Sequence, residues 1–279
     1  MPYLEIGDRK IYYQLHGKGE PIVLMHHGFA SLQMWKDIYP HLVQAGFQVL
    51  LYDRRGYGRS DRGDDFWEFY VSDRFRTQMV EDLAALLEAL DLGPVHLAGQ
   101  CEGGVISVDF AVAHPERVRS LVLGSVQTWS LTDMVTFNAQ KFPLSFAELD
   151  PALRDKFALW HGPQWGAEFY DRARPKGGAY GVGFFDLRPQ LARVSCPALV
   201  IYPDRSALFD VEQGVAMYRV LPRAELAVMP YCGHNIYEYR PGQYLELVLG
   251  FYHRLAQGLH ADKAPGHDHP DPNQRTCAT

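Results

Sequence analysis

The chain has 279 residues, of which 27 are Lys or Arg and 33 are Asp or Glu, a formal net charge of −6 with histidine neutral. That balance excludes a cationic surface built to hold a polyphosphate backbone, so no nucleic-acid partner is expected. With 47% hydrophobic, 13% aromatic and 22% charged residues, the composition excludes a wholly disordered chain and allows one large α/β domain carrying an insertion.

Cys101, Cys196, Cys232 and Cys277 are too scattered for a disulfide-built fold, and none forms a CxxC pair. A reducing, cytoplasmic setting is expected. The first residues, MPYLEIGDRK, lack the apolar core of a signal peptide. No stretch approaches the roughly 18 uncharged apolar residues of a membrane span, so no membrane partner is expected.

In chain order, Tyr3 to Ile6 and Lys10 to His16 flank Gly7-Asp8 and predict an antiparallel hairpin. Ile22 to Met25 and Gln48 to Tyr52 read as strands separated by a helix from about Gln33 to Gln44. From Arg74 to Leu92, apolar residues at Met79, Leu83, Leu86, Leu87 and Leu90 line one helical face. Val95 to Ala98 is a short buried strand, Cys101 to Ala113 a buried helix, and Val118 to Leu123 the next strand. From Gln127 to Pro197 the alternation breaks into a Trp-, Phe-, Pro- and Gly-rich stretch too long for a plain loop, read as a partly helical cap. Alternation resumes with the strand Ala198 to Tyr202, a helix from near Asp210, the strand Glu225 to Met229 and a last helix around Gln243 to Leu255. The expected fold class is α/β, a mostly parallel sheet flanked by helices, with core segments 1–126 and 198–260, a cap at 127–197 and a polar, Pro-rich, disordered tail at 261–279.

The most informative motif is Gly99-Gln100-Cys101-Glu102-Gly103-Gly104, between a strand and a helix. Flanking glycines permit the sharp strand-to-helix turn that thrusts a central side chain out of the sheet, and a helix N-terminus favours the thiolate. The competing role for Cys101 is that of a packing cysteine, the role expected of Cys196 and Cys232. The run is no phosphate loop, because it lacks the lysine and the Ser or Thr of that motif.

With three further motifs, the chain resembles the α/β-hydrolase superfamily. His26-His27-Gly28-Phe29 is similar to the oxyanion loop, Asp53 to Ser60 (DRRGYGRS) to the DxRGxGxS run of lid-bearing members, and Cys232-Gly233-His234 to the segment carrying the catalytic histidine. The resemblance implies an α/β-hydrolase fold with an inserted helical cap, Cys101 as nucleophile, His234 as general base, and the backbone N–H groups of Phe29 and Glu102 as the oxyanion hole. It places the acid after the strand Ala198 to Tyr202, where Pro203-Asp204-Arg205-Ser206 departs from the pattern: Ser206 stands where a carboxylate belongs. Ser206 would then orient the imidazole by accepting a hydrogen bond, with Asp204 the alternative acid if the loop bends. Asp210 and Gln213 read as a helix cap. Glu102 is expected to turn away from the thiol or to pair with a cation.

His26 and His27 read as structural rather than metal-binding, and His260, His267 and His269 as solvated tail residues. No metal or cofactor is implied. Among the cap aromatics Trp129, Trp160, Trp165, Phe169, Tyr170, Tyr180, Phe184 and Phe185, most are expected to pack the cap, and together they favour a small apolar or aromatic substrate. Lys176 to Gly183, with its four glycines, reads as a mobile lid edge. The leading function is hydrolysis of an ester, thioester or lactone through an acyl-cysteine, with an elbow similar to those of dienelactone hydrolases and polyhydroxyalkanoate synthases. The alternatives are an acyltransferase or cyclase using the same intermediate, and a non-hydrolytic lyase or ligand-binding protein, for which the missing carboxylate speaks.

Overall fold

A computed structural model describes residues 3–259. The tail read as disordered, with Cys277, and the histidines at 260, 267 and 269 lie outside the described residues.

Tyr3–Ile6 (β1) and Arg9–His16 (β2) pair antiparallel around Gly7, whose φ of +59° makes the left-handed turn. Pro21–Met25 (β3), Gln48–Tyr52 (β4), Val95–Gln100 (β5), Val118–Gly124 (β6), Ala198–Pro203 (β7) and Ala224–Met229 (β8) complete one sheet in the spatial order β1-β2-β4-β3-β5-β6-β7-β8. β2 meets β4 antiparallel, and every pairing from β4 to β8 is parallel. Parallel strands covered on both faces need continuous apolar sequence, and β3, β4, β5 and β7 are buried almost throughout.

The helices are Tyr39–Gln44 (α1), Phe66–Tyr70 (α2), Arg74–Ala89 (α3), Glu102–Ala113 (α4), Met134–Lys141 (α5), Pro151–His161 (α6), Pro163–Ala173 (α7), Arg188–Leu191 (α8), Val211–Val220 (α9), Ile236–Tyr239 (α10) and Pro241–Ala256 (α11). Two of them, α2 and α10, fall where no helix is expected from sequence. The continuous helix expected over 33–44 is instead a 3-10 turn, Leu32–Trp35, followed by α1. Pro40 explains the break: it has no N–H to donate back and is tolerated only in the first turn, where α1 places it. In α3 the buried face holds Met79, Leu83, Leu86 and Leu87 as the spacing predicts, together with Asp82, which takes Arg55 Nε and Nη2 at 2.9 Å each.

Between β6 and β7 the chain forms α5 to α8 and one isolated bridge, Trp129 with Asp186. Its entrance is tied to α9 by Gln213, whose side-chain oxygen accepts the Thr128 and Trp129 N–H groups at 2.8 and 3.0 Å. Gln213 is therefore not half of a capping pair. Asp210 precedes α9 in the cap position, but its side chain makes no cap hydrogen bond. Phe157, Phe169 and Tyr170 are buried between α6, α7 and the core, whereas Phe184 is 76% exposed, so the aromatics of this segment divide between packing and surface.

Candidate active site

Cys101 sits between β5 and α4 with φ +51° and ψ −119°, a conformation a non-glycine residue holds only when its surroundings enforce it. Small neighbours make the turn feasible: a Cβ at Gly103 would lie 2.4 Å from the Met25 carbonyl oxygen, and one at Gly99 would lie 2.5 Å from Gly104 N. The glycines therefore let α4 start close against β3 and aim the sulfur away from the sheet.

The sulfur borders a cavity of about 410 Å³ between the sheet's carboxyl edge and the 127–197 segment. Its walls are largely apolar, with Met134, Phe137, Leu149, Phe157, Trp160 and Phe209 among them. His27, Phe29, Glu102, Tyr180 and His234 border the same cavity. Phe29, the adjacent pair Cys101 and Glu102, and His234, far apart in sequence, are thus brought together.

Burial pushes the Cys101 thiol up to about 12, against the pull of a hydrogen bond with the Tyr180 hydroxyl and of the Glu102 backbone N–H. The Sγ to Tyr180 Oη distance is 3.4 Å. Among the described residues no hydrogen bond joins Cys101 to His234. Tyr180 belongs to the Gly-rich 176–183 run, read from sequence as a mobile edge. In that run Val182 and Gly183 are exposed, while Gly178, Ala179 and Tyr180 are buried against the elbow. The cause is Glu102, whose Oε2 accepts the Ala179 N–H at 2.9 Å.

Glu102 also pairs with a cation. Its Oε1 accepts Arg54 Nη2 at 2.7 Å and the Tyr57 hydroxyl at 2.8 Å, with both charged side chains almost fully enclosed. The charge beside Cys101 is thereby turned inward. The signal for it lay in the DRRGYGRS run, whose Arg54 and Tyr57 supply two of the donors.

The oxyanion donors are only partly disposed as expected. Glu102 N–H faces the sulfur, but Phe29 N–H donates to His27 Nδ1 at 3.2 Å within its own loop. Burial holds His27 well below the usual histidine range, so its ring stays neutral and keeps a lone pair for that contact. The Phe29 carbonyl accepts His161 Nε2 at 3.0 Å, while His161 Nδ1 accepts Gly58 N–H at 2.9 Å. His161, which sequence reasoning passed over, thus clamps two core loops from α6. His26 is structural: Nε2 accepts Arg54 N–H at 3.1 Å and Nδ1 donates to the His27 carbonyl at 2.9 Å. Among the described residues no group of His, Cys, Asp and Glu could hold a metal ion.

His234 is held by its backbone, its carbonyl accepting Gln100 Nε2 at 2.8 Å and Ser125 Oγ at 2.7 Å. Its Nδ1 lies 3.2 Å from Ser206 Oγ. The structure brings Ser206, not Asp204, to the histidine: Asp204 Oδ1 accepts the Cys232 N–H at 3.0 Å and lies beside Arg205. That use of Asp204 fixes the loop leading to His234. Cys196 and Cys232 are buried away from the cavity. Burial alone pushes the His234 imidazole down to about 4.

The sequence model of the alpha/beta hydrolase fold family matches residues 21–174. The chain belongs to the α/β-hydrolase family. This α/β-hydrolase is 29% identical over 275 residues to the candidate carbamate hydrolase RutD of Azorhizobium caulinodans, an alignment covering 92% of this chain and all of the relative. It is 26% identical to the 2-hydroxy-6-oxononadienedioate/2-hydroxy-6-oxononatrienedioate hydrolase of Paraburkholderia xenovorans, covering 82% of this chain and 85% of that protein. The enol-lactonase of Burkholderia xenovorans shares its fold with a TM-score of 0.71 at 20% identity, over 90% of this chain and all of the other. Among the described residues no helix is long and apolar enough to cross a membrane.

Proposed function

We propose that this enzyme is a hydrolase that opens an ester, thioester or lactone bond of a small, largely apolar substrate through an acyl-cysteine on Cys101. The observation that carries this reading is the elbow: a strained Cys101 whose sulfur borders an apolar cavity together with His234. The names of the relatives extend the candidate substrates to carbamates and to conjugated oxo-acids, which likewise present a carbonyl carbon to a nucleophile.

In the proposed reaction, Sγ attacks the carbonyl carbon as its proton passes to Nε2 of His234, and the carbonyl π electrons move to oxygen. The Glu102 and Phe29 N–H groups meet that oxyanion, which outcompetes the neutral His27 nitrogen for the Phe29 donor. Collapse expels the leaving group, protonated by His234. Water, deprotonated by the same imidazole, then hydrolyses the thioester and restores the thiol. The segment at 127–197 acts as a cap supplying the apolar wall, in the expected division of core at 1–126 and 198–260. An amine or alcohol in place of water would make the same intermediate serve transfer.

Turnover of a panel of aryl esters, acyl thioesters, lactones and carbamates tests this. Cys101→Ala should lower kcat/KM on the accepted member by about 10³ or more, as loss of a nucleophile does, while Cys196→Ala leaves it unchanged. Equal turnover by Cys101→Ala would replace the covalent reading with a non-covalent one. That second reading is favoured by one observation, the neutral thiol bonded to Tyr180 rather than to His234.

A further inference from the structure

The serine at the acid position has a definite hydrogen-bond direction. A hydroxyl has one proton to donate and two lone pairs to accept with. Ser206 Oγ lies 3.2 Å from the backbone nitrogens of Leu208 and of Phe209, both of which can only donate, so these two N–H groups occupy both lone pairs. The third contact, with Nδ1 of His234, is left for the hydroxyl proton. This reverses the expectation that Ser206 accepts from the imidazole.

We infer that Ser206 donates to Nδ1 of His234 and holds the resting imidazole with its proton on Nε2, so that the ring presents a hydrogen-bond donor to the cavity rather than a base. The inference deepens the proposed role of His234. A carboxylate at this position would do the opposite, because it can only accept, and would fix the proton on Nδ1 and free Nε2 as a base. Among the described residues, the side-chain partner of the Cys101 thiol is Tyr180 rather than His234. To receive the Cys101 proton, Nε2 must first lose its own proton while Nδ1 gains one. Ser206 must then accept from Nδ1, which displaces one of the two backbone N–H groups. Until then the neutral Nε2–H can only polarise a substrate oxygen, as a neutral imidazole does when it serves as an electrophile. Ser206 is thus a positioning residue that acts through the tautomer of His234, and the three residues of the loop Ser206, Leu208 and Phe209 set that tautomer together.

The test is two-bond ¹H–¹⁵N correlation spectroscopy of the full chain carrying ¹⁵N-histidine, with the His234 pattern assigned by its loss in His234→Gln. At neutral pH, Nδ1 of His234 should resonate as an unprotonated nitrogen and Nε2 as a protonated one. Ser206→Asp should exchange the two, and should raise turnover of any accepted substrate by about tenfold or more, within what a positioned base contributes. A wild-type spectrum with the proton on Nδ1 overturns the inference, whatever the folding of the variant. The spectrum requires no substrate. If acyl-Cys101 forms while the proton is on Nδ1, this inference alone fails; if the proton is on Nε2 and no acyl-enzyme forms, the hydrolase reading alone fails.

Discussion

At the scale of the residue, the contact between Cys101 and Tyr180 bears on how readily the thiol ionises. The Tyr180 hydroxyl is the thiol's side-chain hydrogen-bond partner at 3.4 Å, and it opposes the burial that raises the thiol. Tyr180→Phe removes that opposition and keeps the ring's edge contact with Phe185, whose centroid lies 4.8 Å away. Alkylation of Cys101 by iodoacetamide at pH 8 should slow by roughly threefold to tenfold, in line with a loss of about 1 kcal/mol of hydrogen-bond stabilisation of the thiolate. Unchanged or faster alkylation, followed by peptide mass spectrometry, would show that Tyr180 only packs. The positions of Cys101, His234 and Ser206 around one cavity edge were legible in the sequence because motif spacing survives in the chain: GQCEGG, CGH and the residues after β7. The donors that Ser206 faces were not, since Leu208 and Phe209 are apolar residues whose contribution is backbone N–H. Tyr180 was visible only as one aromatic among many, because its partner lies 79 residues away.

At the scale of the element, the Arg54–Glu102 pair fastens three segments: the loop after β4, the start of α4 and the Gly178–Tyr180 turn. Exchanging the carboxylate for an amide removes the counter-charge of a buried guanidinium and, with the amide oxygen kept for Arg54 and Tyr57, sets an NH2 donor against the Ala179 N–H. Glu102→Gln should therefore destabilise the fold by about 3–5 kcal/mol, read as a shift of the urea midpoint with little change in slope. A loss below about 1 kcal/mol would mean that Arg54 finds another partner. This arrangement also bears on the Gly-rich run. Four glycines in eight residues signal freedom when nothing holds them, but Gly178 is small for a different reason: its φ is +51°, and a Cβ there would lie 2.1 Å from Glu102 Oε2. Local composition reports the backbone's options, and the carboxylate that selects among them is far away in sequence. The broken helix at 33–44 has the opposite cause, a local one, in Pro40.

At the scale of the whole molecule, burial keeps several imidazoles neutral. His161 and His234 both lie at about 4, below the ordinary 6.5. The unfolded chain takes up protons at these positions as pH falls through 6.5, whereas the folded chain does not until about 4. The contribution of these histidines to stability is therefore complete above pH 6.5 and falls as pH drops from 6.5 towards 4, by up to about 1.4 kcal/mol per pH unit for each, while the buried Asp53 carboxyl, raised to about 7, opposes one of them over the same range. In urea unfolding across pH 4.5–7.5, His161→Gln should lose stability less steeply with falling pH than the parent chain; equal slopes in the two would contradict the burial of His161 described here. The sheet itself was almost wholly legible, because β3 to β7 are buried on both faces and must be apolar throughout. The 127–197 segment was legible only as a break in rhythm. Its two longest helices do bury one face each, Phe157, Trp160 and His161 on α6 and Gly166, Phe169, Tyr170 and Ala173 on α7, but each is 11 residues long and starts at a proline, so the period repeats too briefly to stand out.

Intact-protein mass spectrometry within the first turnover, on enzyme mixed with an accepted ester or lactone and quenched in acid, tests the central claim most directly. A mass increment equal to the acyl group is expected, mapped to Cys101 by peptide analysis, absent in Cys101→Ala and decaying in water. Turnover without any covalent increment, or an increment on another residue, would contradict it.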